Sequence, residues 1–255
     1  MTRTISCISG KGGVGKTTLV SNIGTALVEL GKNVIIIDAN LTTPNLGLHL
    51  GIPLYPTTLH NVLKGEAYAT EAVYLHSTGI KIIPASISVD ALKDVDASKL
   101  KHVIKELVGR TELILIDSAA GLGKEAIAAV EAADEIIIIT NPELTAVTDA
   151  LKTVKVAEKA GIDVLGVVVN RVKSKKHELG IDEIHDMLDL PVLAVIPEDS
   201  SVNHSLAAKS PVVHHSPKSK SAKEFKKLAA AIVGESYTEE EKTLLKQLFG
   251  WLRRR

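Results

Sequence analysis

At 255 residues and 45% hydrophobic side chains, the chain is long and apolar enough to bury the core of one large α/β domain or two small ones. Its 30 basic and 30 acidic residues balance, so no global field draws it onto nucleic acid or an anionic membrane, and any such attraction must be local. The one cysteine, Cys7, excludes internal disulfides and every metal or cluster site built on a Cys-x-x-Cys pair. A reducing cytoplasm is expected. The N-terminus carries no signal-peptide pattern, and no apolar run approaches the roughly 20 residues that span a bilayer.

In chain order, short β-branched runs predict strands at 4–8, 34–37, 80–83, 113–116, 136–139, 164–169 and 192–195. Between them, helical periodicity predicts helices at about 16–30, ended by Gly31, then 97–108, 124–132, 145–159, ended by Gly161, 181–188 and 222–233. The polar stretch 214–221 reads as a loop opening the last core helix. Several strands are apolar at consecutive positions, as parallel strands covered on both faces are. The fold class is therefore α/β, a doubly wound and mostly parallel sheet flanked by helices. No repeat is visible. The composition changes at Gly234, dividing the chain into a domain at 1–234 and a linker with a charged amphipathic tail at 235–255.

Residues 10–17 fit the pattern G-x-x-x-x-G-K-[ST] directly after a strand and opening a helix, which is the context a phosphate-binding P-loop requires. Gly10, Gly12, Gly13 and Gly15, with Val14 between them, let the backbone curl so that successive N–H groups face phosphate oxygens. Lys16 neutralises the β and γ phosphates, Thr17 offers its hydroxyl to Mg²⁺, and Thr18 follows in the first helical turn. ATP and Mg²⁺ are the expected cofactors. In open parallel sheets ligands sit beyond the carboxyl ends of the strands, so Asp38 after the second strand and Asp117 after the fourth can reach the same crevice. One such acid alone is as readily a turn residue as a ligand. Two behind a P-loop favour phosphate and Mg²⁺.

Lys11 is a second lysine, five residues before Lys16, and by itself reads as a solvated loop charge. The run Lys11-Gly12-Gly13-Val14-Gly15-Lys16-Thr17-Thr18, however, resembles the deviant Walker A motif of the MinD/ParA ATPases. The segment after Asp117, Ser118-Ala119-Ala120-Gly121, is similar to the second switch of that family and nearer to MinD's wording than to that of the partitioning ATPases. The resemblance implies a P-loop NTPase fold and an ATP-dependent sandwich homodimer in which Lys11 reaches the partner's phosphates. It also implies adenine contacts from Asn170, Arg171 and Pro197, and catalysis drawing on Lys11, Lys16, Asp38 and the residue at position 40. That last position departs from the family: the usual D-x-D reads Asp38-Ala39-Asn40. An amide orients a water but accepts no proton, so slow ATP hydrolysis is expected.

Wound at 100° per residue, the tail places Leu244, Leu245, Leu248, Phe249, Trp251 and Leu252 within an arc of about 160°, with Lys242, Lys246 and Arg253 on the other side. Such a helix suits a membrane interface, and equally a partner or its own domain. The basic amphipathic helix that ends MinD proteins is similar, which implies reversible, peripheral attachment to an anionic membrane. Two tails on an ATP-bound dimer would raise avidity by about 10²–10⁴ over one. The function so implied is spatial positioning of an unidentified regulatory or cargo protein, in cell division or placement of a polar apparatus. Two rivals stand beside it. A ParA-like DNA-partitioning ATPase is disfavoured by the zero net charge, so nucleic acid is not the expected partner. A scaffold holding ATP without turnover is favoured by Asn40. The cysteine count excludes an iron–sulfur carrier of the same superfamily.

Overall fold

The computed structural model describes residues 2–52, 54–173 and 175–237. Along them run β1 (Arg3–Ser9), α1 (Lys16–Glu29), β2 (Val34–Ala39), α2 (Leu46–His49), α3 (Leu59–Lys64), β3 (Tyr74–Leu75), β4 (Lys81–Ile83), α4 (Leu100–Leu107), β5 (Leu113–Ala120) and α5 (Lys124–Glu131). There follow β6 (Glu135–Thr140), α6 (Leu144–Ala160), β7 (Asp163–Val172), α7 (Ile181–Leu188), β8 (Val192–Pro197), α8 (Ser200–Ala207), α9 (Val212–His215) and α10 (Lys220–Ile232). The strands form one sheet in the order β3-β4-β2-β5-β1-β6-β7-β8. Only the β3–β4 pair is antiparallel.

The consecutive apolar residues of the strands divide between two covered faces. Ile36, Leu115, Ile5 and Cys7 pack with α1 and with Phe225 and Leu228 of α10. Ile35, Ile37, Ile114 and Ile116 pack on the other face with Leu59 and Leu63 of α3 and Leu100 and Ile104 of α4. A third cluster joins β6 and β7 to Val147 and Val154 of α6 and Ile184 of α7. The chain builds outward to β2, β4 and β3 first, returns through β5, and then builds the opposite way through β6, β7 and β8. The sheet order therefore reverses about β1, and a crevice opens there beyond the carboxyl ends of the strands. Among the described residues no helix is long and apolar enough to cross a membrane.

Several expectations are corrected. The helix expected at 97–108 is a 3-10 turn, Ala97–Lys99, followed by α4, because Asp96 accepts from the Ser98 amide and starts the turn separately. β5 extends beyond the strand expected at 113–116, through Ser118 to Ala120, held by Ala39 and Ser9 on either side. Asn170 and Arg171 lie inside β7, and Pro197 ends β8, instead of following those strands. The stretch 214–221 is partly helical: α9 takes its first two residues and α10 its last two. The short elements α2, α3, α9 and β3 have too few periods to register in the sequence, and α8, reading Ser-Ser-Val-Asn-His-Ser-Leu-Ala, has too few apolar residues to mark a buried face. The expected tail, with Leu244, Leu245, Leu248, Phe249, Trp251 and Leu252, lies outside the described residues.

Candidate functional site

Beyond Ser9 the chain turns through the glycine-rich loop and enters α1 at Lys16. Gly15 caps the helix at φ 100°, a left-handed conformation that L side chains rarely adopt. A Cβ there would also stand 2.4 Å from the Asn170 amide nitrogen, which donates to the Val14 carbonyl at 2.7 Å. At Gly10 a Cβ would meet the Asp149 carbonyl oxygen of α6 at 2.2 Å, so the loop is seated against helix backbone. The first turn of α1 carries no acidic side chain, leaving the positive end of its dipole to an external anion. Lys16 is 8% exposed, and its ammonium donates to the Ser9 hydroxyl at 2.9 Å. Ser9 in turn donates to the Lys11 carbonyl at 2.8 Å. Burial pulls the pKa of Lys16 down, and the charge of Asp117 draws it partly back.

The two acids are neighbours across the sheet: Asp38 of β2 is in register with Asp117 of β5, which is in register with Cys7 of β1. All three are buried. Asp38 accepts from the Asn40 amide at 3.2 Å and the Leu46 amide at 3.1 Å. Burial and the facing charge of Asp117 nevertheless hold its pKa well above the usual carboxylate range. Neither oxygen of Asp117 has a partner at full hydrogen-bond geometry, and the Thr17 hydroxyl engages it only loosely. Burial pushes its pKa up to about 6, against the opposing pull of the Thr17 hydroxyl and Lys16. A buried carboxylate so weakly partnered is costly unless something compensates it. A hard divalent cation shared with the Thr17 hydroxyl would do so. Among the described residues no three His, Cys, Asp or Glu side chains gather into a metal site of their own. Mg²⁺ takes most of its ligands from water and phosphate, so Thr17 and Asp117 would supply only part of its shell. Burial also pushes the Cys7 thiol up, as suits a core residue.

The remaining expected residues fall around this centre. Lys11 sits on the rim, its ammonium 3.3 Å from Glu143 at the start of α6, both side chains about half exposed. Asn40 is turned into its own loop, donating to the Thr43 carbonyl at 2.5 Å and accepting from the Thr43 hydroxyl at 3.0 Å. Thr18, Asn170, Arg171 and Pro197 line one narrow crevice beside Gly15. Arg171 adopts φ 57° at that point and is exposed. Asn170 is 5% exposed and braces the P-loop from below. Sequence reasoning missed four groups. Ser9 seats Lys16, and Glu143 pairs with Lys11. Asp199, in the same crevice, caps α8 and accepts from the Ser221 amide and hydroxyl. Burial raises the pKa of Asp199, but these amides and hydroxyls outweigh it and leave it below the ordinary value. Glu125 binds the loop that carries Asn40. Of these, only Asp199 carried a signal, as an acid one residue before a helix.

Comparison with known proteins agrees with this geometry. A ParA family model, described as a NUBPL iron-transfer P-loop NTPase, matches residues 1–233. An uncharacterised ATP-binding protein of Methanocaldococcus jannaschii is 37% identical over 238 residues, covering 93% of this chain and 90% of its own. The septum site-determining protein MinD of Pyrococcus horikoshii, solved as its complex with Mg-ADP, superposes with a TM-score of 0.88 at 40% identity, over 91% of this chain and 96% of that one. A chain of the MinC:MinD cell division protein complex of Aquifex aeolicus superposes with a TM-score of 0.82 at 31% identity, over 93% of this chain and 98% of that one.

Proposed function

The chain belongs to the ParA family of P-loop NTPases, with MinD proteins among its relatives, and from that membership we propose that it is a MinD-like, ATP-dependent switch. In this reading it dimerises with ATP and Mg²⁺, attaches to an anionic membrane surface through its tail, and positions a partner protein while hydrolysing ATP slowly. The observation that carries the reading is the weakly partnered, buried Asp117 facing Lys16 and Thr17 at the mouth of the P-loop. Bound with Mg²⁺, ATP supplies a γ-phosphoryl group transferable to water. The loop amides and Lys16 would orient and neutralise the phosphates. Thr17, Asp38 and Asp117 would hold the ion and its waters. Asn170, Arg171 and Pro197 would flank the base.

Lys11 supports the dimer. Its pair with Glu143 is exposed, and such pairs are worth about 0–1 kcal/mol, so the ammonium is readily exchanged to a partner's phosphates. Leu122 and Leu144, 39% and 60% exposed beside this rim, are apolar surface that a second copy would cover. The iron transfer named in the family description would, if it relied on thiolate ligands, be poorly served by a lone cysteine buried in β1. The MinC complex of the Aquifex protein supports a protein partner for this chain. A second reading, an ATP-bound scaffold without turnover, is favoured by Asn40, whose amide is engaged by Thr43.

Light scattering on the eluting protein tests the dimer. With ATP·Mg²⁺ the wild type should run as a dimer, and with ADP·Mg²⁺ or no nucleotide as a monomer. Lys11→Ala should stay monomeric with ATP while still binding a fluorescent ATP analogue. Dimerisation of Lys11→Ala equal to wild type would remove the role in trans.

A further inference from the structure

Glu125 stands in the first turn of α5, the helix that follows the 121–123 segment, and its carboxylate reaches across to a loop more than 80 residues away in sequence. One oxygen accepts from the Leu41 amide at 2.9 Å and from the Thr42 amide at 3.4 Å. The other accepts from the Thr42 hydroxyl at 2.5 Å. Leu41 and Thr42 lie between Asn40 and Thr43, the two residues that close the loop on itself. At the other end of the segment, the Gly121 amide donates to the Ser9 carbonyl at 2.9 Å, next to the hydroxyl that seats Lys16. A continuous chain of bonds thus runs from the P-loop through Gly121 and α5 to the loop carrying Asn40.

We propose that Glu125 is a positioning residue: it straps the 40–43 loop to α5 in the arrangement that keeps the Asn40 amide on Thr43, and so restrains turnover until α5 moves. The inference rests on the ATPase reading for its functional half and on geometry alone for its structural half. Three donors on one carboxylate make the strap bidentate, so a neutral amide at 125 cannot reproduce it, since its nitrogen would meet a donor. The loop also has room to leave. A cavity of about 620 Å³ borders Leu41, Thr42 and Glu125, walled by Val95, Ile127 and Ala128. Loss of the strap would let the loop open into that space and free the Asn40 amide to orient a water.

Hydrogen exchange and steady-state kinetics on the full chain test both halves. In nucleotide-free protein, Glu125→Ala and the milder Thr42→Val should exchange the 40–45 amides about fivefold faster or more than wild type, Glu125→Ala the more strongly. With ATP·Mg²⁺ both should raise kcat with KM for ATP unchanged, and the increase should vanish when Asn40→Ala is added. Exchange unchanged in both variants would overturn the strap, and so would a kcat that stays level or falls while exchange rises. Thr42 is exposed, so Thr42→Val keeps the test valid if Glu125→Ala misfolds. Failure of the ATPase reading is separately visible, as phosphate release from wild type no faster than the protein-free background, or as ATP that leaves its 10–18 amides unprotected.

Discussion

Asp38 and Asp117 bring two carboxyl groups into register inside the sheet, and their burial is a source of instability in nucleotide-free protein as well as a binding device. Asp117 has its folded pKa raised to about 6 from 3.8, so between those values the folded chain keeps a proton that the unfolded chain has lost. Stability therefore falls as pH rises through that window, and the loss is complete above pH 6. Asp117→Asn cannot ionise. Denaturant unfolding of nucleotide-free protein should show the variant gaining on wild type, by on the order of 1 kcal/mol, as pH rises from about 5 to 7.5. A difference that does not change with pH would mean that Asp117 is not held protonated. Mg²⁺ binding selects the charged form, so the same acid that weakens the empty protein strengthens the loaded one.

At the scale of elements, the P-loop is positioned by α6 and β7 as much as by its own glycines. Gly10 rests against the Asp149 carbonyl of α6, a backbone atom that cannot swing aside, whereas the nearest atom to a Cβ at Gly12 is the Ala120 Cβ at 3.9 Å. In thermal melts without nucleotide, Gly10→Ala should lower Tm by several degrees or more, and Gly12→Ala should leave it within about 2 °C of wild type. Equal effects would mean that the loop is not seated on α6. The motif G-x-x-x-x-G-K-[ST] records which positions are glycine, while the reason at Gly10 lies in a helix far along the chain. The same limit explains what else was and was not legible. Runs such as 34–37 and 136–139 are β-branched throughout and could only be buried strands, so the sheet and the ends bearing Asp38 and Asp117 could be read directly. Glu125, Glu143 and Ser9 act through partners remote in sequence or through a single hydroxyl, and an acid in a helix's first turn reads as a dipole partner. Asn170 could be read as a strand-end polar residue, but its bond to Val14 needed the fold.

Over the whole molecule, the domain gathers the P-loop, the paired acids, the strapped 40–43 loop and the rim bearing Lys11 at one end of the sheet, so nucleotide state and a protein surface are presented together. The tail at 238–255 is the element through which that state would become membrane residence. On the proposed reading one tail would bury a handful of apolar side chains against the cost of ordering a helix, and two acting together would be needed for firm attachment. The most direct measurement is cosedimentation with anionic liposomes in ATP·Mg²⁺, ADP·Mg²⁺ and no nucleotide, with phosphate release followed in the same samples and a chain lacking 238–255 run in parallel. The account predicts sedimentation of the full chain with ATP·Mg²⁺ alone, its loss in the truncated chain, and slow phosphate release. Sedimentation indifferent to nucleotide, or unchanged without the tail, would contradict it.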